Sequence, residues 1–163
     1  MKTLYIVRHA KSSWKYPELP DDERPLLEKG KKRTRKVIDF LLKKNIQVDL
    51  IISSHATRAL DTAKIIGHAL GYPEENILIS RQVYHANADQ LYDQFFDLSD
   101  KIDSIMIVGH NPAFTNFANH FLDEKIDWLP TSAVVSISFD TPHWVNIPLA
   151  RKITNFVAIP REL

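Results

Sequence analysis

Apolar residues along this chain recur in two rhythms: short continuous runs, and longer stretches spaced by three and four. Leu4-Tyr5-Ile6-Val7 opens the pattern and predicts a strand over residues 3–8. Residues 48–53 and 105–109 are almost wholly apolar, as strands buried on both faces of a parallel sheet are. Residues 77–80 form a further short strand. The β-rich runs 133–139 and 153–159 have no full helix between them, and we read them as antiparallel edge strands. Helical spacing fills the intervals. Residues 27–44 put Val37, Ile38, Leu41 and Leu42 on one face with lysines opposite, and residues 57–70 do the same with Ala59, Leu60, Ala63, Ile66 and Leu70 before stopping at Gly71. Asn87, with Gln90 three residues on, reads as an N-cap opening a helix to Leu98. Pro112 suits the first turn of a helix reaching Leu122. Residues 141–148 carry no clear rhythm beyond one helical turn around Trp144. Strands alternating with helices predict one α/β domain over residues 1–163, a three-layer sandwich with a mostly parallel central sheet and antiparallel edge strands. The loop 11–25, with Pro17, Pro20 and Pro25, is too long for a mere connector, and loops of this kind are often functional.

Composition narrows the function more than the fold. The 163 residues are 44% hydrophobic and 25% charged, which is ordinary for a globular domain. A net charge of +1 lacks the basic excess of a nucleic-acid partner. With no cysteine, disulfides and thiolate metal sites are excluded. No His pair has helical zinc spacing with a carboxylate, so no metal is expected. Nothing approaches the length of a membrane span, and Met1-Lys2-Thr3-Leu4 leads straight into a strand without a signal-peptide pattern, so cytoplasm is the default.

Three predicted strands end on groups suited to phosphate. The first ends on Arg8 and His9, the second on Ser53 and Ser54 with Arg58 one turn into the next helix, and the third, 105–109, on His110. In a parallel sheet all of them meet at one carboxyl edge, where open α/β sheets bind ligands and helix N-termini favour anions. A guanidinium fork holds phosphate oxygens, and an imidazole beside it is a nucleophile. Each group alone is more simply a surface or core residue; their joint placement favours a site. Lys11, Ser12 and Ser13 follow His9 directly and are either further phosphate donors or part of a surface loop. Lys29, Lys31, Lys32, Lys36, Lys43 and Lys44 are most simply a solvated helix face, with docking of an acidic protein as the other reading. His55 borders the candidate pocket; His68 and His120 read as solvated or core-edge positions on amphipathic helices, and His143 carries no pattern.

Arg8-His9-Ala10, the segment Ser53-Ser54-His55-Ala56-Thr57-Arg58-Ala59 with Thr62-Ala63, and Val108-Gly109-His110-Asn111-Pro112 resemble the histidine phosphatase superfamily. The short length, the run Arg8 to Trp14, Asp21 with Arg24-Pro25-Leu26, and Tyr84-His85-Ala86 are similar to its small SixA-type phosphohistidine phosphatases. The resemblance implies a phosphoglycerate mutase-like fold and a phosphatase without cofactor. In it His9 is the nucleophile of a phosphohistidine intermediate, Arg8 and Arg58 clamp the non-bridging oxygens and His110 completes the pocket. Phosphoryl transfer asks mainly for positioning and for cations over the equatorial oxygens, which agrees with those roles. His9 must be neutral at its attacking nitrogen, with the other ring nitrogen expected to donate to a backbone carbonyl.

Two departures from the family pattern stand out. Ala10 replaces the usual Gly, and a positive φ there would be strained. His85 stands where many members place a carboxylic acid, with Asp89 nearby. Without an acid, alkoxide leaving groups suffer most, whereas imidazole leaves more readily. The expected substrate is therefore phosphohistidine on a protein, with a small phosphate ester as the alternative and a non-catalytic phosphate sensor as a third reading. His85 equally reads as a residue that lines the cleft.

Overall fold

The apolar runs become the middle of one six-stranded sheet. The computed structural model describes residues 1–163. Its strands are β1 (Lys2–Arg8), β2 (Leu50–Ser54), β3 (Leu78–Ser80), β4 (Ser104–Gly109), β5 (Val134–Phe139) and β6 (Lys152–Ala158), in the order β3-β2-β4-β1-β5-β6. β3, β2, β4 and β1 are parallel; β5 runs antiparallel to both β1 and β6. The four helices are α1 (Glu28–Lys43), α2 (Thr57–Ala69), α3 (Ala88–Phe96) and α4 (Ala113–Asn119).

Strand alternation divides the core in two. Leu4, Ile6, Ile105 and Ile107 face α3 and α4, packing with Leu91, Phe95, Phe114 and Phe117. Tyr5, Val7, Met106 and Val108 face the other way, against Val37 and Leu41 of α1 and Ala63 and Ile66 of α2. Each large apolar side chain so buried contributes about 1.5–3 kcal/mol. The result is the expected three-layer α/β sandwich. No helix is long and apolar enough to cross a membrane.

Local chemistry sets the boundaries. Asn87 and Gln90 form a reciprocated capping box at α3, with N···O distances of 2.9 and 3.0 Å. Gly71, at φ +77°, closes the turn after α2. Two helices end earlier than their periodicity predicts. At α4 the His120 and Phe121 amides bond three residues back, to Phe117 and Ala118, so the helix tightens before Leu122. At α3 the Leu98 amide does the same with Phe95. Pro112 stands just outside α4, in the cap position. The undecided segment contains one 3₁₀ turn, Trp144–Asn146, pinned by the Trp144 indole donating to the Ile102 carbonyl at 2.7 Å.

Candidate active site

Parallel register delivers the predicted groups to one edge. Arg8 lies opposite Gly109, and the His9 amide donates to the Gly109 carbonyl at 3.0 Å. The His9 and His110 rings consequently stand 5.1 Å apart, centroid to centroid. Four connections hold the backbone of residues 8–11. The Ala10 amide donates to the Thr62 hydroxyl at 2.9 Å, and that hydroxyl donates to the Arg58 carbonyl at 2.7 Å, tying the nucleophile loop to α2. The Ser132 amide donates to the Arg8 carbonyl at 3.0 Å and to that of His9 at 3.2 Å, with Ser132 itself at φ 63°. Leu27 donates to the Lys11 carbonyl at 2.9 Å. Gly30 permits this approach of α1, since a Cβ there would lie 2.5 Å from the Lys11 oxygen. Ala10 is fully buried and keeps a negative φ, so the expected cost of replacing Gly does not arise.

His9 is held neutral and pre-oriented. Its Nδ1 lies 2.7 Å from the Ala10 carbonyl, which makes Nδ1–H the donor and leaves Nε2 with its lone pair. Burial, followed by the charges of Arg58, Arg8 and Arg24, pushes its pKa down to about 3, against the opposing effect of the carbonyl bond. His110 is neutral for similar reasons: burial first, then His9 and Arg58, lower it to about 2. Its Nε2 lies 2.8 Å from the Ser54 hydroxyl, which already accepts from the Ala56 amide at 3.2 Å. The hydroxyl proton meets no other acceptor, so it goes to Nε2, and His110 carries its own proton on Nδ1.

Three buried donors nearby have no partner: Nε of Arg8, Nε of Arg58 and Nδ1 of His110. All three residues line one cleft of about 420 Å³ together with His9. A buried unsatisfied donor costs about 1–3 kcal/mol, and a tetrahedral oxyanion in the cleft would satisfy several at once. Burial, and after it the Arg58 charge, lowers the Arg8 pKa, so an anion would also relieve crowding between cations. Arg8 donates to the Leu129 carbonyl at 3.1 Å and lies 5.8 Å from the Trp128 ring. Arg58 is fixed by Asp21, through the Asp21 carbonyl at 2.7 Å and its carboxylate at 2.9 Å. Tyr84 donates to the same carboxylate, and Arg24 does so at 3.1 Å. Burial alone would raise Asp21, but bonds from Tyr84 and Arg58, the Arg58 charge and Arg24 outweigh it and hold its pKa at about 2.

The remaining candidates fall in different places. Lys11 and Ser12 line the cleft, the Ser12 hydroxyl accepting from Arg24 at 2.9 Å. His85 is exposed and outside the cleft lining; it packs on Tyr84 at 4.1 Å between ring centroids, and Tyr84 in turn meets His110 at 5.2 Å. Asp89 is exposed on the first turn of α3. His55 pairs with Asp22 at 3.1 Å. Residue types and spacing do not point to Trp128 as part of the site, and Thr62, Tyr84, Asp21 and Arg24 stand out only as marks of a resemblance. The one local signal was the three-residue spacing that lets Asp21 and Arg24 pair.

Residues 4–79 match the family model of the histidine phosphatase superfamily, branch 1, which supports a place for the chain in that superfamily. Its fold is the phosphoglycerate mutase-like α/β sandwich and superposes on SixA structures. The SixA protein of Agrobacterium tumefaciens aligns with a TM-score of 0.82 at 23% identity, over 98% of both chains. The protein histidine phosphatase SixA, solved in complex with tungstate, aligns with a TM-score of 0.81 at 18% identity, over 98% of both chains. An uncharacterized chloroplastic protein of Arabidopsis thaliana is 31% identical over 126 residues, 72% of this chain. The chain spans 58% of the length of that relative.

Proposed function

We propose that this chain is a metal-independent phosphatase that passes a phosphoryl group from substrate to His9 and then to water, and that its preferred substrate is phosphohistidine on a protein. The observation that carries the reading is His9 itself: a neutral imidazole with Nδ1 committed to Ala10 and Nε2 free, between two arginines. In the first step Nε2 attacks phosphorus; the new N–P bond forms as the bond to the leaving group breaks. Arg8, Arg58 and the Nδ1–H of His110 take the equatorial oxygens, whose charge grows in the transition state. Water then attacks the phosphohistidine, releasing inorganic phosphate and restoring His9. The similar SixA structure was solved in complex with tungstate, a tetrahedral oxyanion, which supports an oxyanion-binding role for this fold.

The choice of substrate rests on proton supply. Asp21, with a pKa of about 2, is ionised and has no proton to give; His110 stays neutral. A leaving group that departs without an acid is favoured, and the imidazole of a phosphohistidine is such a group, unlike an alkoxide. The test is a panel of phosphohistidine protein, phosphoramidate, aryl phosphate and sugar phosphates, each with and without chelator. The expected result is chelator-resistant turnover of the two N–P substrates, slower turnover of aryl phosphate and little of sugar phosphates. Rapid hydrolysis of a sugar phosphate would favour a small-molecule phosphomonoesterase. No turnover of any substrate would favour a phosphate-sensing module.

A further inference from the structure

The cleft around His9 continues past its own rim. Arg33 and Thr131 line both it and a second cleft of about 510 Å³. The other charged walls of the second cleft are Lys36 on α1 and Arg161 in the 3₁₀ turn Pro160–Glu162, and Pro130, Ile159 and Pro160 form its stiff, non-aromatic lining. Lys29, Arg33 and Lys36 follow at steps of four and three along α1, so they share one exposed helix face. Lys11 stands next to that row, where Lys29 first, and Arg33 after it, hold its ammonium below the usual lysine range.

None of these five cations pairs with a carboxylate. Lys31, on the same helix, does pair, with Glu28 at 3.3 Å. A chain of net charge +1 thus gathers five uncompensated cations beside its candidate active site. Such a surface raises the local concentration of anionic partners and orients their approach. The lining of the second cleft holds no aromatic ring on which the bases of a single-stranded nucleic acid would stack.

We infer that this second cleft docks an acidic segment of the protein substrate, its carboxylates meeting Arg33, Lys36 and Arg161 while the phosphohistidine of the same partner reaches His9. The inference rests on the phosphatase reading above and names its partner by charge. Several exposed pairs acting together are expected to give about a tenfold preference at low salt and to lose it as the Debye length shortens.

The experiment uses two labelled peptides centred on histidine, one with flanking Asp and Glu and one with Asn and Gln in their place. Fluorescence anisotropy first measures binding of the unphosphorylated peptides to the full chain and to the double variant Lys36→Ala/Arg161→Ala. Both residues are exposed and outside the His9 cleft, so the variant should fold and hydrolyse phosphoramidate as the parent does. The expected result is about tenfold tighter binding of the acidic peptide by the parent at low salt, lost in the variant and at high salt. Equal binding of the two peptides, an unchanged preference in the variant, or tighter binding of a single-stranded oligonucleotide of equal charge would each overturn the assignment. Chemically phosphorylated peptides are then assayed for turnover. If the acidic preference holds in binding but phosphohistidine survives in both peptides, the phosphatase reading fails by itself. If phosphoramidate is hydrolysed but no preference is seen, the docking site fails by itself.

Discussion

Asp21 holds Arg58 by two routes at once, accepting from one guanidinium nitrogen through its backbone carbonyl at 2.7 Å and from another through its carboxylate at 2.9 Å. Arg58 Nε remains buried and unpartnered beside the cleft. Asp21→Ala removes one grip and leaves the other, so kcat should fall by about tenfold, equivalent to about 1.4 kcal/mol. Arg58→Ala removes the cation itself and should cost about 10²–10³ in kcat. Steady-state kinetics on phosphoramidate measures both. Equal losses in the two variants would mean that Asp21 does more than position Arg58.

His9→Ala should abolish turnover and leave the fold intact, because the side chain faces a cleft rather than either apolar core. Circular dichroism and a phosphoramidate assay together check this. Rapid acid-free quenching of the parent should trap phosphate on His9, and retained activity in the variant would remove the nucleophile assignment.

Ser54→Ala tests the proton on His110. With the hydroxyl gone, His110 Nε2 loses the donor that fixes its tautomer. kcat should fall about tenfold, on the scale of one hydrogen bond to a charged transition state. Imidazole nitrogen shifts by NMR should report mixed tautomers in the variant and Nδ1–H in the parent, a readout that mere loss of stability would not move.

Acid should weaken the fold before carboxylates titrate. The His9 pKa is lowered to about 3 in the folded chain, whereas an unfolded histidine titrates near 6.5. Between those values the unfolded state binds more protons, so stability falls as pH drops through that window and is regained above about pH 6.5. Asp21, lowered to about 2, stabilises fully above about pH 4, and that contribution is lost as pH falls towards 2. Urea midpoints at pH 7 and pH 4.5 should differ less for His9→Ala than for the parent. The pH–rate profile of the parent should show no acid limb from His9 above about pH 4.

Gly30→Ala should destabilise the chain by about 1–3 kcal/mol, although alanine is the better helix former. The new Cβ would press on the Lys11 carbonyl at 2.5 Å, and backbone cannot swing aside as a side chain can. Thermal unfolding measures the loss, and an unchanged midpoint would show that α1 can slide.

The hydrophobic rhythm was enough to place β1, β2 and β4 within two residues, because a strand buried on both faces leaves no polar positions to blur its ends. The three strand ends carrying Arg8, Ser54 and His110 followed from that placement. The Asn87–Gln90 cap was equally plain, being a chemistry of neighbours. Tyr84 stood out only through the resemblance, and Trp128 was not legible. They reach Asp21 and Arg8 from far along the chain, through loops whose paths depend on packing rather than on local pattern. The continuous basic cleft was hidden likewise: Arg161 and Lys36 become neighbours only after β6 has joined the sheet.

Ser132, whose amide spans the carbonyls of Arg8 and His9, sets an order of events during synthesis. Arg8, His9 and Arg58 all leave the ribosome well before residue 132, yet they remain an unassembled collection until β5 docks beside β1. Until then the carbonyls of Arg8 and His9 lack the amide that spans them in the folded chain. The cleft is thus completed late, as a property of the finished sheet.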